Sequence, residues 1–248
     1  MITNGERHLY VAWRRPDALI VPVGRLTQQS GPDGSTVFRF AYLKGAERNE
    51  EFPGLPGLVD LHQVHESTAL FPVFANRLMP RDRADYGSYI EQLDLSVEAD
   101  PFEVLGRSEG VRATDRIEVF PGAEVTPDGR LCTLFFARGI RHLEGASEAV
   151  ESLQVGDELV LVPEPTNPVN SRAMLLNTRT GAGVGWTPDY LLDLLHELED
   201  LNSEAPTITA EHVNPASVAP HLRLLCRVAA RWPAGYEPFT GPDFQPLA

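Results

Sequence analysis

The stretch PGAEVTPDGR, residues 121–130, constrains the fold of this chain more than any other segment. It holds two turn signals within ten residues, and the spacing of apolar residues changes after it. A chain of 248 residues has the length of one large domain or of two ordinary ones. The segment therefore predicts a boundary between two domains, residues 1–125 and 126–248.

The first half has the local patterns of a mixed α+β domain. Strand-like runs and a hairpin are predicted at HLYVAWRRPDALIVPVGRL (8–26), TVFRFAYL (36–43) and RIEVF (116–120), with the turn GPDGS (31–35) between the first two. Helix caps or helical spacing of apolar residues occur in STALFPVFANRLMP (67–80), DYGSYIEQLDL (85–95) and DPFEVLGRSEG (100–110). Ser67 is the predicted N-cap of the first of these helices.

The second half has short apolar runs separated by tight turns. The predicted strands are LCTLFFARGI (131–140), DELVLVPE (157–164), AMLLNTRT (173–180), VGWTP (184–188) and HLRLLCRVAARW (221–232). PDYLLDLLHELEDL (188–201) places leucines at helical spacing after a proline. Together these segments predict a small antiparallel β-barrel with one amphipathic helix, so the fold class is α+β.

Residues 131–232 resemble a HIRAN domain, the small β-barrel module of SWI/SNF-type DNA translocases. The resemblance depends most on VGDELVLVPEPTNPVNSRA (155–173) and on the GVGWTP hairpin (183–188). In HIRAN domains that bind DNA, it implies a pocket for the 3′ end of a single strand. Aromatic rings stack on the last bases there, an acidic side chain meets the terminal hydroxyl, and basic groups hold phosphate.

Carried onto this chain, the resemblance places Arg141 in the pocket and Asn167-Pro168 in its loop. The sequence departs from the pattern at three positions, which are Val169 for a stacking aromatic, Asn170 for the hydroxyl-reading acid and Asp189 for a phosphate-holding lysine.

Other side chains can fill the roles that these departures leave open. His142 and Trp186 offer rings for stacking, and three arginines can converge on one anionic group, because a guanidinium fork suits phosphate. The candidate ligand-binding residues are Arg138, Arg141, His142, Asn167, Asn170, Arg172 and Trp186.

Residues 8–121 resemble the N-terminal subdomain of HipA-type kinases, through VGRLTQQ, TVFRFAYL, STALFPVFANRLMP and DPFEVLGRSEGVRATDRIEVF. That family belongs to toxin–antitoxin biology. No kinase core is expected after this segment, because no Gly-rich phosphate loop is paired with a catalytic Asp and a metal-binding Asn. The resemblance implies docking to a separate kinase-like or other effector protein.

Charge limits how this chain can bind nucleic acid. The formal net charge is −14, and residues 131–248 hold 7 arginines, no lysine and 15 acidic residues. Such a balance argues against broad nonspecific binding, which depends on neutralising phosphates. It leaves room for a small pocket that holds a strand end.

Most candidate residues also have a structural interpretation. Asn167-Pro168 is typical of a strand-connecting turn, and Asn170 can bond its own backbone. Arg141 and Arg172 can pair with Glu144 or Glu164, His142 can be a solvated side chain, and Trp186 can pack under the helix at 188–201. Phe71, Phe74 and Leu78 form either core or a docking surface for a partner protein.

No pattern predicts an enzyme, a cofactor or a metal site. HQVH (62–65) spaces two histidines three apart, but no third ligand is evident. Cys132 and Cys226 lie in apolar runs and are predicted to be free thiols. With no signal peptide and no apolar run that could span a bilayer, we expect a cytoplasmic protein without membrane contact.

Two functional hypotheses follow. The first is a non-catalytic regulator of the antitoxin type, with one half that docks a HipA-type kinase or another effector and one that recognises a nucleic-acid end or a related anion. The alternative is a stand-alone sensor of single-stranded DNA 3′ ends in repair or phage defence. The sequence does not decide the oligomeric state.

Overall fold

A computed structural model describes residues 6–31, 34–112, 114–202 and 204–248. Its described residues form two compact units. The first covers Met1–Ile90, Leu95–Gly122 and Phe239–Ala248, and the second covers Glu91–Asp94 and Ala123–Pro238. Each unit therefore combines segments that are distant in sequence. Pro32 and Asp33 of the predicted turn GPDGS lie outside the described residues.

The first unit contains a five-stranded antiparallel sheet in the order β4-β3-β2-β1-β5. Its strands are β1 (Arg7–Arg14), β2 (Ile20–Ser30), β3 (Thr36–Tyr42), β4 (His65–Ser67) and β5 (Ile117–Pro121). The helices are short, at α1 (Lys44–Glu47), α2 (Pro72–Ala75), α3 (Tyr86–Gln92, within this unit up to Ile90) and α4 (Pro101–Arg107).

One face of this sheet supports the hydrophobic core. Leu9, Val11 and Trp13 alternate along β1 and pack with Phe40 and Phe74. Phe74 is fully buried, Phe71 is nearly so and Leu78 packs against the same cluster, which confirms that this stripe belongs to the core rather than to a docking surface.

The long helix predicted over residues 67–80 is wrong. Ser67 ends β4, where it pairs with Phe38, and only Pro72–Ala75 are helical. Phe71 is extended, with φ −55° and ψ 140°, because the ring of Pro72 disfavours a helical conformation in the preceding residue.

The opposite face of the sheet is covered near β1 and β5 by the C-terminal segment. Tyr10 stacks on Phe120 with ring centroids 5.5 Å apart, and it contacts Phe239 at 5.1 Å and Phe244 at 5.2 Å. Tyr10, Phe120 and Phe239 are all buried. Residues 239–248 therefore pack against the first sheet through aromatic side chains.

The second unit contains a seven-stranded antiparallel sheet in the order β10-β9-β8-β11-β12-β7-β6. The strands are β6 (Glu124–Val125), β7 (Arg130–Phe136), β8 (Glu158–Pro163), β9 (Met174–Thr178), β10 (Gly183–Trp186), β11 (Thr207–Val213) and β12 (Leu224–Arg231). The sequence prediction contains no counterpart of β11. The helices are α5 (Ala146–Glu151) and α6 (Leu192–Leu201), with a 3-10 turn at Asp189–Leu191 before α6.

The second unit was predicted to be a small antiparallel β-barrel; its sheet is antiparallel, but it does not form a closed barrel. Among the residues that the structure describes, a single bridge joins the segment after β7 to β10, with hydrogen bonds of 2.8 Å and 2.9 Å between the backbones of Arg138 and Trp186. Gly139 follows at once with φ 68° and starts a 3-10 turn over Ile140–His142. The chain turns away before a ladder can form, so the sheet stays open.

The predicted amphipathic helix is confirmed in α6, which buries Leu192, Leu194, Leu195 and Leu198. Both cysteines are free thiols, as predicted. Within the described ranges no helix is long and apolar enough to cross a membrane.

Candidate nucleic-acid interface

The loop after β8 is organised by two asparagine side chains. The Oδ1 atom of Asn167 accepts hydrogen bonds from the backbone N–H groups of Val169 (3.0 Å) and Asn170 (3.2 Å). The Oδ1 atom of Asn170 accepts from the N–H of Arg172 at 3.0 Å. Both asparagines therefore stabilise turns, as their structural interpretation predicted. Asn170 uses for this purpose the oxygen that would otherwise meet a ligand hydroxyl.

Glu164 links this loop to the hairpin at β10. Its Oε2 atom accepts from the Trp186 indole N–H at 2.7 Å and from the Asn167 amide at 2.7 Å. All three side chains are half-buried. The carboxylate therefore holds the edge of the indole ring and the start of the loop together.

The Trp186 ring lies against the backbone of Gly139. A Cβ atom at position 139 would be 2.6 Å from the ring carbon Cε3, so only glycine allows this approach. Gly185 has φ 135°, and a Cβ there would be 2.8 Å from the carbonyl oxygen of Arg138. Trp186 thus packs on the turn after β7.

The turn that Gly139 starts carries Arg141 and His142, both exposed. The Nε–H of Arg141 donates to His142 Nε2 at 3.0 Å. Arg141 is bonded to neither Glu144 nor Glu164 among the described residues. A cation and an imidazole ring therefore stand at the surface, next to the edge that holds Trp186.

His221 adds a group that the sequence did not single out. It lies in the 3-10 turn Pro220–Leu222, which packs against the turn Ile140–His142. Its pKa is lowered by partial burial and by the charge of Arg138, although part of its surface stays exposed.

Arg172 is directed away from the other candidates. Its Nη1 atom is 2.5 Å from Asp193 Oδ1 on α6, and both side chains are more than half exposed. The convergence of Arg138, Arg141 and Arg172 on one anion stays a prediction, while Arg172 is paired with Asp193 and Arg141 contacts His142.

The structure thus brings together Trp186, Asn167 and the backbone of Arg138, with Asn170 in the same loop and Arg141-His142 on the adjoining turn. The sequence indicates Glu164 only as a partner of an arginine, although Glu164 lies within the segment VGDELVLVPEPTNPVNSRA (155–173). No sequence pattern indicated His221, because the packing of two distant turns places it there.

The histidines of HQVH have structural contacts. His65 Nε2 is 2.9 Å from the carbonyl oxygen of Asp60, and His62 lies 3.8 Å from a Glu47 carboxylate oxygen. Within the residues that the structure describes, no group of three or more His, Cys, Asp or Glu side chains is placed to hold a metal.

No protein-family model matches this chain. A search of curated proteins also finds no match. Two solved structures do match it. The HIRAN domain of human HLTF is 14% identical, with a TM-score of 0.31, over 42% of this chain and 81% of its own. A protein from Lactobacillus plantarum is 18% identical, with a TM-score of 0.33, over 41% of this chain and 99% of its own. TM-scores this low do not establish a family.

Proposed function

We propose that the second unit is a non-catalytic binding module that holds the end of a single nucleic-acid strand at the edge formed by the 164–173 loop, Trp186 and the Arg141-His142 turn. The observation that carries this proposal is the Glu164 carboxylate, which fixes both the indole ring and the Asn167 loop through 2.7 Å hydrogen bonds. A positioned aromatic ring beside an exposed arginine supplies the two contacts that single strands use, stacking and phosphate pairing.

The expected affinity is modest. Stacking contributes about 1–3 kcal/mol per base, and only one or two bases can meet Trp186 and His142. Arg172 is already neutralised by Asp193, which leaves Arg141 as the main phosphate contact. We therefore expect the logarithm of the binding constant to fall with the logarithm of the salt concentration with a slope of about −1. This dependence is much weaker than that of a protein covering many phosphates.

The test is a fluorescence-anisotropy titration of the full chain with a short single strand at low salt. One strand has a free 3′ hydroxyl and the other a 3′ phosphate. We expect binding that the phosphate weakens, and that Arg141→Ala weakens further, while Arg179→Ala leaves it unchanged. Arg179 is the matched control because it is an exposed arginine of the same unit, paired with Glu158. If neither strand binds, the proposal is refuted.

Docking of a kinase-like partner receives no comparable support. The stripe Phe71, Phe74 and Leu78, which was the candidate surface for such docking, lies in or against the core of the first unit. A HipA-type kinase or other effector partner, and an antitoxin role, stay predictions from the sequence.

A further inference from the structure

The outer face of the first sheet, opposite the hydrophobic core, carries a row of side chains from four strands. Register pairing places Phe120, Tyr10, Arg25 and Ala41 side by side. Residues directly opposite on neighbouring strands share a face and lie about 5 Å apart at Cβ. Arg25 therefore stands between the aromatic side chain of Tyr10 and the single methyl group of Ala41.

The next row on the same face contains His8, Thr27 and Arg39. The rings of His8 and Tyr10 meet edge to face, with centroids 5.4 Å apart. Partial burial and the charge of Arg25 both lower the pKa of His8, and the charge of Glu6 opposes them. Arg25 and His8 are thus close enough to act on the same group.

The carboxylates on and beside this face already have partners. Glu66 pairs with Arg39 at 2.7 Å, Glu118 with Arg14 at 2.5 Å, and Glu6 accepts from the Gln29 amide at 2.9 Å. Arg25 is half-buried, and within the described ranges its guanidinium has no hydrogen bond and no ion pair.

Among the described residues, Arg25 has no carboxylate partner although acidic side chains outnumber basic ones in this chain of net charge −14. A half-buried charge without a partner is unfavourable, since neither water nor a counter-charge fully compensates it. Tyr10, whose ring packs with those of Phe239 and Phe244, is its cross-strand neighbour on one side. Ala41 is too small to cover the guanidinium on the other side.

We propose that Arg25 and His8 form a binding site for a small tetrahedral oxyanion, a phosphate or sulfate group, on the outer face of the first sheet. The guanidinium fork can donate two parallel hydrogen bonds to such an anion. The protonated imidazole of His8 adds a third donor. This site belongs to the first unit and the proposed strand-binding edge belongs to the second, so a different experiment tests each of them.

The linkage between anion and proton has a defined sign. Without an anion, the lowered pKa keeps His8 neutral near pH 7. A bound oxyanion favours the charged imidazole and raises that pKa, so sulfate should bind more tightly as pH falls through the range in which His8 titrates. The charges that act on His8 are Arg25 and Glu6, of which Glu6 is hydrogen-bonded to Gln29, and the titratable phenol ring of Tyr10 contacts the imidazole.

The test is an NMR titration of the histidine ring protons in the full chain with sulfate, which keeps its charge over this pH range, and then with inorganic phosphate and acetate. We expect saturable shifts at His8 with sulfate and phosphate, and weaker ones with acetate. Arg25→Gln should weaken sulfate binding about tenfold or more, since charge-assisted hydrogen bonds are lost. Arg83→Gln is the matched control, because Arg83 is exposed and pairs only with nearby Asp85 among the described residues.

Thermal unfolding without anion separates this role from a structural one. If Arg25 serves a ligand, Arg25→Gln should be as stable as the wild type or more stable, because an uncompensated charge is removed. Loss of stability in Arg25→Gln, absence of a His8 shift with sulfate, or equal affinity in the Arg25→Gln variant would each overturn the proposal.

Discussion

Gly139 and Gly145 form a matched pair for testing how firmly Trp186 is held. Both have left-handed backbones, with φ 68° and φ 74°, and each precedes a short helical turn in the same unit. They differ in their surroundings. A Cβ at position 139 would be 2.6 Å from the Trp186 ring, whereas one at position 145 would have no neighbour within 4 Å.

The two alanine variants should therefore differ by the cost of the ring contact. A left-handed conformation costs an L-residue about 1–2 kcal/mol, so Gly145→Ala should lower the free energy of unfolding by about that amount. Gly139→Ala pays the same cost and must also displace a ring that Glu164 holds by a 2.7 Å hydrogen bond. Forcing extra atoms into a packed site costs about 1–3 kcal/mol, which gives a total near 2–5 kcal/mol.

Urea unfolding of both variants and the wild type, followed by circular dichroism, measures these values. The strand titration described above supplies a second readout, in which Gly139→Ala should weaken binding and Gly145→Ala should not. Equal losses of stability would show that the ring is free to move and that Trp186 is not positioned as described.

Three other predictions concern the first unit. Phe74→Ala removes a fully buried ring and should cost about 3–5 kcal/mol in denaturant unfolding, whereas a loss below about 1 kcal/mol would contradict its place in the core. Arg77→Met should lower the free energy of unfolding by about 2–4 kcal/mol by the same measurement, because it leaves Asp115 and three backbone carbonyls without their donor around a side chain that is 2% exposed. Although desolvation opposes it, hydrogen bonds from Arg7 and from two backbone N–H groups lower the pKa of Asp100. The melting temperature of the wild type should therefore exceed that of Asp100→Asn above pH 3.8, the ordinary carboxyl pKa. The difference should vanish as the pH falls through the lowered pKa of Asp100. A difference in melting temperature that does not change with pH would refute this.

Elements with strong local punctuation were predictable. Asp100 caps α4 by accepting from the N–H groups of Phe102 and Glu103, and Pro101 occupies the first turn, as the sequence indicated. The segment 67–80 has helical spacing as well, but Ser67 joins a strand and Pro72 restricts the residue before it. In this segment, the strand pairing of Ser67 and the restriction that Pro72 imposes outweighed the helical spacing of the apolar residues.

The open sheet of the second unit was not predictable. Strand patterns indicate how many strands pair but not whether the first and last meet along a ladder. That outcome depended on Gly139. Its left-handed backbone turns the chain away directly after Arg138, which pairs with Trp186 of β10. Residues 239–248 were equally hard to place, because their aromatic contacts are with Tyr10 and Phe120, which are distant in sequence.

The sequence by itself determined the conformation of the 164–173 loop. Its side-chain hydrogen bonds join residues two or three positions apart, and such short-range bonds form from the local residue types alone. The tertiary structure alone decided what the loop can do. Glu164 reaches Trp186, and Arg172 reaches Asp193, across 22 and 21 positions, and these contacts depend on the register of β8, β9 and β10 and on where α6 packs. The same register places an aromatic ring at the proposed binding edge and pairs Arg172 with Asp193, because long-range pairing rather than local preference fixes which side chains meet.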